Sequence, residues 1–423
     1  AMTESPDLLA IRQQGDAFFA QAEKESSPAA LKQALTEYEK LLAAAPADAG
    51  LQFMLYDGYS RLLVSGDDSV ELRMRELYDR LPPALKATAK PPSLSVFLFT
   101  LQRARKIDQF PDQLLRNDLL SAIQEQPADP TAYVLLADTD LQAGHYALAI
   151  ATIKQAQQHA PTNDNVLRTL GRAYLLYARE SECAHEHPDE IRKAAELLRS
   201  VTQKNANDWL AHQYLSDAYA MLNLLPLSVN EARLVYGQKA DEAATWTLAN
   251  HLSDLGHFDE ADKLYQTLLE KNRAETTLAL AKMAMYQGQW PKAREYFDQH
   301  FAAVKRPNFY SVLLESIVDE QQQGRDNALT RFLERAPEKS LHPENPAFRW
   351  TSQLHQFRQG KLSAEMLLAS AKNRCERTEA NFYAGFSALN NKPLARHYFE
   401  AVLQEKAFTF DEYQLAKYFL AQP

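Results

Sequence analysis

A pattern of apolar helix faces, turn residues and helix ends recurs along this chain with a period of about 34 residues. From Tyr133 to Pro161, apolar and small residues mark one helix face, Gly144 interrupts the helix, and a second face follows until Pro161. Glycine suits the left-handed cap after a helix, and proline disfavours helix in the residue before it. Small residues at Ala137 and Ala149 allow two helices to approach closely. The pattern therefore predicts antiparallel helix pairs, repeated one after another.

The same register returns in four further units, so five successive units agree. The matching residues are Leu167, Leu170, Gly171 and Tyr174; Leu215, Ser216, Tyr219, Ser228 and Ala232; Leu248, Ala249, Gly256, Phe258 and Ala261; and Leu280, Ala281, Gly288, Trp290, Ala293 and Phe297. Together these residues resemble the tetratricopeptide repeat, which places bulky, small and aromatic residues at fixed offsets. The resemblance implies an all-α fold, a right-handed superhelical solenoid of antiparallel helix pairs.

Length and composition agree with a solenoid. A chain of 423 residues exceeds the roughly 250–300 residues at which single cores stop growing, whereas repeat units pack only on their neighbours. Glycine supplies 12 residues, well below its usual share of about 7%. Strong helix formers dominate instead. A parallel-sheet enzyme with glycine-rich phosphate loops is therefore a poor match.

The strength of the repeat pattern divides the chain into four predicted segments. They are degenerate helical pairs in 1–92, linking helices in 93–127, five repeats in 128–307 with an insertion at about 178–192, and diverged repeats with a capping helix in 308–423. Pro82-Pro83 and Pro91-Pro92 predict a short non-helical link between them. In the last helix, Phe410 to Leu420, polar residues predict a cap for the exposed end of the solenoid; these are Glu412, Gln414 and Lys417.

In the tetratricopeptide family the first helix of each pair lines a concave groove, and fixed positions of that helix face a bound partner. Transferred to this chain, the resemblance implies a groove formed by Arg168, Arg172, Gln213, Asp217, Trp246, Asn250 and Lys282. Arg and Trp are frequent binding anchors, and arginines pair well with carboxylates. We therefore expect a non-catalytic scaffold or adaptor that binds another protein or a peptide, one with acidic residues. The asparagines that chaperone-binding members place beside their basic groove residues are missing.

The insertion contains the group Cys183, His185 and His187, which offers a thiolate and two imidazoles to a zinc ion. Alternate residues on a regular helix do not converge on one ion, however, and no second ligand pair follows nearby. We expect a longer polar loop or an extended first helix, and no metal. Cys375 lies far from Cys183 in the chain, so no disulfide framework is expected.

Catalytic motifs were sought in the sequence. It contains no Gly-rich phosphate loop, no Gly-x-Ser-x-Gly and no His-Glu-x-x-His. His145, His251 and His257 fall at or near inter-helix turns and are predicted to be surface residues. We therefore expect no enzyme activity and no cofactor, with an unrecognised helical site at Cys183–His187 as the competing hypothesis.

The net charge of −9 and a pI near 5.7 disfavour nucleic acid as a partner. No stretch approaches the ~20 apolar residues of a membrane helix, so direct membrane insertion is not expected. Sparse cysteine usage fits cytoplasm and periplasm alike. A second hypothesis therefore remains open, in which the chain is a periplasmic accessory protein of envelope or polysaccharide assembly. The sequence does not predict an oligomeric state.

Overall fold

The computed structural model describes residues 5–106, 113–342 and 344–423, and all regular structure within them is helical. The chain forms two compact units, residues 1–169 and 170–423. The helices up to the end of the first unit are α1 Pro6–Glu25, α2 Pro28–Ala44, α3 Ala49–Ser65, α4 Glu71–Arg80, α5 Pro83–Lys86, α6 Pro92–Lys106, α7 Gln113–Glu125, α8 Pro130–Gln142 and α9 Tyr146–His159. The next helix, α10 Asp164–Arg179, contains the boundary between the units.

Helix starts in the first unit follow from local sequence. Ser5, Ser27 and Asp48 each accept a hydrogen bond from a backbone N–H of the first turn of α1, α2 and α3, which satisfies a donor that the helix itself leaves unpaired. Tyr38 of α2 is buried and donates its hydroxyl hydrogen to Asp16 of α1 at 2.6 Å. Consecutive helices thus pack as antiparallel pairs here, although their repeat signatures are degenerate.

The predicted non-helical link between the two proline pairs is wrong in part, because residues 83–86 form the short helix α5. Pro83 occupies its first position, where the fixed φ of proline favours helix and the missing N–H costs nothing. The predicted linking helices in 93–127 are observed as α6 and α7. Residues 107–112 of this segment lie outside the described residues.

The second unit continues the helix pairs. After α10 come α11 Pro188–Lys204, α12 Trp209–Met221, α13 Leu225–Gln238, α14 Glu242–Leu255, α15 Phe258–Leu268, α16 Arg273–Tyr286 and α17 Trp290–Ala303, then α18 Phe309–Gln323, α19 Arg325–Arg335, α20 Arg349–Arg358, α21 Ala364–Ser370, α22 Arg374–Ser387, α23 Lys392–Glu405 and α24 Asp411–Ala421. Consecutive helices pack on one another in most of this unit, as in the pairs α12 and α13, α14 and α15, α16 and α17, α18 and α19, and α22 and α23. The predicted all-α fold of antiparallel helix pairs is confirmed.

Small residues lie where helices cross and allow close packing there, as the repeat pattern predicts. Gly171 of α10 faces Leu198 of α11, and a Cβ at Gly171 would lie 2.8 Å from Leu198 Cγ. Ser216 of α12 and Ser228 of α13 each donate a hydroxyl hydrogen to the other's backbone carbonyl at 2.8 Å. Both serines are fully buried, and their exchange of hydrogen bonds allows two polar groups to lie in an apolar crossing.

The insertion is neither a continuous helix nor an unstructured loop. Helix α10 ends at Arg179, a 3₁₀ turn spans Ala184–Glu186, and α11 begins at Pro188, where proline again occupies the first helical position. The expectation of a polar loop is therefore correct only for residues 180–187, and the segment carries buried residues, as described below.

The last helix does not close the solenoid in the predicted way. Helix α24 packs on α23 and also returns to α16 and α22. Glu412 and Gln414, predicted to be exposed polar cap residues, are buried. The physical reason is that α24 has polar partners inside the unit, so its polar residues need no solvent; only Lys417 of the three is exposed.

Candidate functional site

Polar contacts join three first helices of the second unit, α10, α12 and α14. Asp217 of α12 lies between Arg179 of α10, with Oδ2 3.9 Å from Arg179 Nη1, and His251 of α14, with Oδ1 3.4 Å from His251 Nε2. His251 is predicted to be a surface residue, and this is wrong: it is only 8% exposed, because its side chain lies against the neighbouring repeat, beside Asp217 of α12. We give the name first-helix face to the surface formed on α10, α12 and α14 by Arg172, Gln213, Asp217, Trp246 and Asn250.

Trp246 and Asn250 lie on α14 in this face, and both are half-buried. The Trp246 ring meets the buried Tyr265 edge-on, with ring centres 5.8 Å apart. The Tyr265 hydroxyl donates to Asn250 Oδ1 at 2.6 Å. Tyr265 therefore contacts the buried side of both side chains, and part of each side chain faces solvent.

Arg172 and Gln213 are half-buried on α10 and α12. The Arg172 guanidinium lies 5.7 Å from the ring centre of Tyr214, within the range of a cation–π contact. Arg168 belongs to the other compact unit, where its Nη2 donates to Asn165 Oδ1 at 2.6 Å. Arg168 is therefore described separately from the first-helix face.

Lys282 of α16 has an internal partner. Its ammonium lies 2.9 Å from Asp411 Oδ2 at the start of α24, and the charge of Asp411 raises the pKa of Lys282 above its ordinary value. Tyr286, one turn along α16, donates its hydroxyl hydrogen to the same carboxylate. Asp411 thus attaches α24 to α16. Lys282 is half-buried like the other predicted groove residues, but its charge is already paired inside the protein.

Gly288, just after α16, makes room for α24. Its backbone has a φ of +68°, a left-handed conformation, and Tyr418 of α24 occupies the space that a Cβ at this position would need. Trp290 packs beside it, with its ring centre 5.5 Å from that of Tyr418 and 6.0 Å from that of Phe419. Glycine is therefore required here for two independent reasons.

A cavity of about 780 Å³ lies in the C-terminal half of this unit, and we call it the acidic cavity. Helices α18, α20, α22 and α24 contribute to its wall, together with residues preceding α20 and α24 and residue 182 of the insertion. Its lining includes five carboxyl side chains and three aromatic ones: Glu182, Glu376, Glu379, Asp411 and Glu412, with Tyr310, Trp350 and Phe410. Arg349 and Lys372 are its two cationic residues.

Two of these carboxyl groups are buried without a cation. Glu379 and Glu412 are 6% and 5% exposed, and neither has an ion-pair partner among the described residues. Glu379 accepts the indole N–H of Trp350, and Glu412 accepts the Tyr383 hydroxyl at 3.2 Å. Burial raises the pKa of Glu412 to about 7, with the charge of Asp411 adding to the shift. Burial, and then the charge of Glu412, raises the pKa of Glu379 well above its ordinary value.

The insertion is fixed to the wall of the acidic cavity by a disulfide bond between Cys183 and Cys375. These two residues are 192 positions apart in sequence, and their distance in the chain gave no reason to expect a bond. The fold brings them together because the C-terminal helices of this unit return to the insertion. Glu186 adds to the junction by accepting the backbone N–H of Arg374 at 2.6 Å.

The three residues considered for zinc therefore have other roles. The sulfur of Cys183 is in the disulfide and is not a thiolate. His185 is buried, with Nε2 2.8 Å from the Thr409 hydroxyl, and burial lowers its pKa to about 4, with Arg374 contributing. His187 lies with Nδ1 3.9 Å from Glu190 and meets Tyr177 edge-on. The structure does not bring these three side chains together as a ligand set, and no metal-binding group of His, Cys, Asp and Glu occurs among the described residues.

Sequence reasoning missed the acidic cavity altogether. Glu379 is the one charged residue in a run of buried residues on α22, Thr378 to Phe386, and a lone carboxylate among mostly apolar neighbours is a signal that could have been noticed. The contacts of Asp411 and Glu412 depend on where α24 docks, which no local pattern specifies. The presence of only two cysteines in the chain was a further signal of pairing.

Comparison with known proteins does not show a family for this chain. No protein-family model matches the chain, and no curated protein matches it. A tetratricopeptide repeat protein from Parabacteroides merdae is 14% identical, covering 63% of this chain and 100% of that one, with a TM-score of 0.46. A thermophilic TPR protein of Thermus thermophilus is 21% identical over 43% of this chain and 91% of its own, with a TM-score of 0.35. YrrB, described as a TPR protein with an unusual peptide-binding site, is 16% identical over 44% and 91%, with a TM-score of 0.37.

The class of protein follows from the geometry already described. Antiparallel helix pairs, glycines at positive φ between them, and small residues at their crossings define a helical-repeat protein of the tetratricopeptide type. Among the described residues, no helix combines the length and the apolar character needed to cross a membrane.

Proposed function

We propose that this chain is a non-catalytic scaffold that binds a segment of a partner protein along the first-helix face. The observation that supports it best is Trp246, a large aromatic side chain held half-exposed by Tyr265 in the middle of that face. Partly exposed aromatic residues backed by a rigid neighbour are typical binding anchors, because little side-chain entropy is lost when a partner covers them.

The chemistry of the face favours a partner segment with both polar and acidic groups. Gln213 and Asn250 offer amides, and Arg172 offers a guanidinium that can pair with a carboxylate. Asp217 is flanked by Arg179 and His251, so its charge is partly compensated and repels such a segment less. Arg168, predicted from the family pattern, stays a prediction for the neighbouring part of α10. Lys282 is left out of the proposed face because Asp411 holds it.

The test is recovery of a partner from the native host with four forms of the full chain. We expect wild type to recover a partner that Trp246→Ala and Arg172→Glu lose. The control is Trp209→Ala: Trp209 is also half-buried, but it packs on His212, with ring centres 5.6 Å apart, beside the contact of His212 with Glu231 of α13. The partner segment found by cross-linking is then titrated as a synthetic peptide. Equal affinity of that peptide for wild type and Trp246→Ala would overturn the proposed face.

A second candidate, an accessory protein of the cell envelope, is favoured by one observation. The Cys183–Cys375 disulfide is the kind of bond that forms and persists in oxidising compartments and is rare in cytosol. We infer that the chain works in such a compartment. Alkylation of thiols in protein taken directly from the native host should modify neither cysteine before reduction and both after it. Full modification before reduction would contradict this inference, and glycan arrays without binding would remove the polysaccharide version.

A further inference from the structure

We propose that the acidic cavity binds an organic cation that carries a primary ammonium group on a flexible alkyl chain. Its volume of about 780 Å³ falls within the roughly 300–1,000 Å³ of small-molecule and side-chain binding sites. This site is distinct from the first-helix face, and the proposal does not depend on the function proposed for that face.

The distribution of charge in the cavity selects the class of ligand. Arg349 donates to Glu376 and to the Ser370 carbonyl, and Asp411 pairs with Lys282. Lys372 is exposed. After these pairings Glu379 and Glu412 remain, both more than nine-tenths buried and both without a counter-charge among the described residues. Without a counter-charge, burial favours the protonated form of both groups. An entering ammonium group would pair with the ionised carboxylate, whose proton passes to solvent.

Glu379 supplies the most specific contact. One of its oxygens accepts the Trp350 indole hydrogen, and no donor among the described residues reaches the other. Because Glu379 is part of the cavity lining, that oxygen is available to a ligand that donates hydrogen bonds. A primary ammonium has three donors and no acceptor, which complements the ionised form of Glu379.

The aromatic residues favour the same ligand. Tyr310, Trp350 and Phe410 all line the cavity. A cation near the face of an aromatic ring gains electrostatic attraction, and the alkyl chain that carries the ammonium gains apolar contact with the same rings. An anionic ligand would meet five carboxyl groups, and a purely apolar ligand would leave the buried carboxyls without partners.

Two sources can supply this chemistry, a free polyamine or a lysine side chain of another protein, and calorimetry on the full chain separates them. The probes are spermidine, N-acetyl-lysine methylamide and, as the neutral control, N-acetyl-norleucine methylamide. We expect at least one amine to bind and the norleucine compound not to bind. Binding of the lysine compound identifies a protein side chain as a source, and binding of spermidine alone identifies a free polyamine.

Glu379→Gln keeps the size of the side chain and removes its charge, so affinity for the bound amine should fall by about tenfold or more. The matched control is Glu400→Gln, which removes a carboxylate from the exposed face of α23 and should leave affinity unchanged. Tyr310→Leu, at a partly exposed position, should weaken binding about threefold and serves if Glu379→Gln does not fold. The proposal is overturned if neither amine binds, if the neutral compound binds equally well, or if folded Glu379→Gln binds like wild type.

Discussion

The regular repeats from α10 to α17 and the diverged helix pairs from α18 to α24 use the same architecture for different purposes. In the regular repeats, small residues fill the helix crossings and the first-helix face stays half-exposed, as at Trp246. In the diverged pairs, charged groups such as Glu379 and Glu412 are buried, and α24 covers surface on α16 and α22. A strong repeat signature therefore indicates how helices pack, whereas the diverged pairs are where charged groups are buried around a cavity.

The largest expected effect concerns the bond that joins the two regions. Replacing Cys183 and Cys375 together by serine removes a cross-link across 192 residues, for which loop entropy gives a stability loss of about 5 kcal/mol. Hydrogen exchange should speed up in α22 and α24, while α2 and α3 of the other unit serve as the internal control. Unchanged exchange in α22 would show that the diverged pairs hold together without the bond.

The second largest effect is expected for the buried charge network between α17 and α18, where the two regions meet. Arg294 of α17 pairs with Glu315 and Asp319 of α18, two carboxylates that are both 1% exposed. Arg331 and Arg335 also contact these carboxylates, but they are more exposed than Arg294. Arg294→Met removes the most buried of the three cations and should cost about 3 kcal/mol. The exposed pair of Arg233 and Glu260 provides the control, because Arg233→Met should cost under about 1 kcal/mol. Similar melting temperatures for the two variants would contradict the expected difference between buried and exposed ion pairs.

Two glycines allow the docking of α24 to be measured on its own. Gly256 and Gly288 both follow a first helix at positive φ, but a Cβ at Gly256 meets nothing within 4 Å, whereas one at Gly288 meets Tyr418. Each Gly→Ala change should cost about 1 kcal/mol through the backbone, and Gly288→Ala should cost about 1–3 kcal/mol more through displacement of Tyr418. Chemical denaturation monitored by exchange in α24 checks this, and equal losses would mean that the Tyr418 contact adds nothing.

The smallest effect is a pH dependence confined to the diverged region. Because the pKa of Glu412 is raised from 4.5 to about 7 in the folded state, the folded protein binds its proton more tightly than the unfolded chain. Stability should therefore fall as pH rises from about 4.5 through 7. Glu412→Gln removes this contribution, so its melting temperature should exceed that of wild type by more at pH 8 than at pH 5. The same difference at both values would contradict the raised pKa, and Glu400→Gln should show no such trend.

The sequence alone was sufficient to predict the repeat, but not to predict the buried contacts of the C-terminal helices. Gly171, Ser216 and Gly288 were identified because helix crossings and turns are local and recur with a fixed period. Three features were not identified: the disulfide, the contact of Asp411 with Lys282, and the burial of Glu412. Each depends on contacts between residues more than 25 positions apart in the sequence. His251 shows the same limit on a smaller scale, since its burial comes from the neighbouring repeat rather than from its own helix.

The disulfide also has a consequence for the order in which this protein is made. Cys183 leaves the ribosome 192 residues before Cys375, a delay of about 10–40 s at common synthesis rates of ~5–20 residues per second. During that interval the repeats up to α17 can already fold, while Cys183 is a free thiol without its partner. A nascent chain halted before Cys375 should therefore be open to thiol exchange with other proteins, and completion of α22 ends that period of exposure.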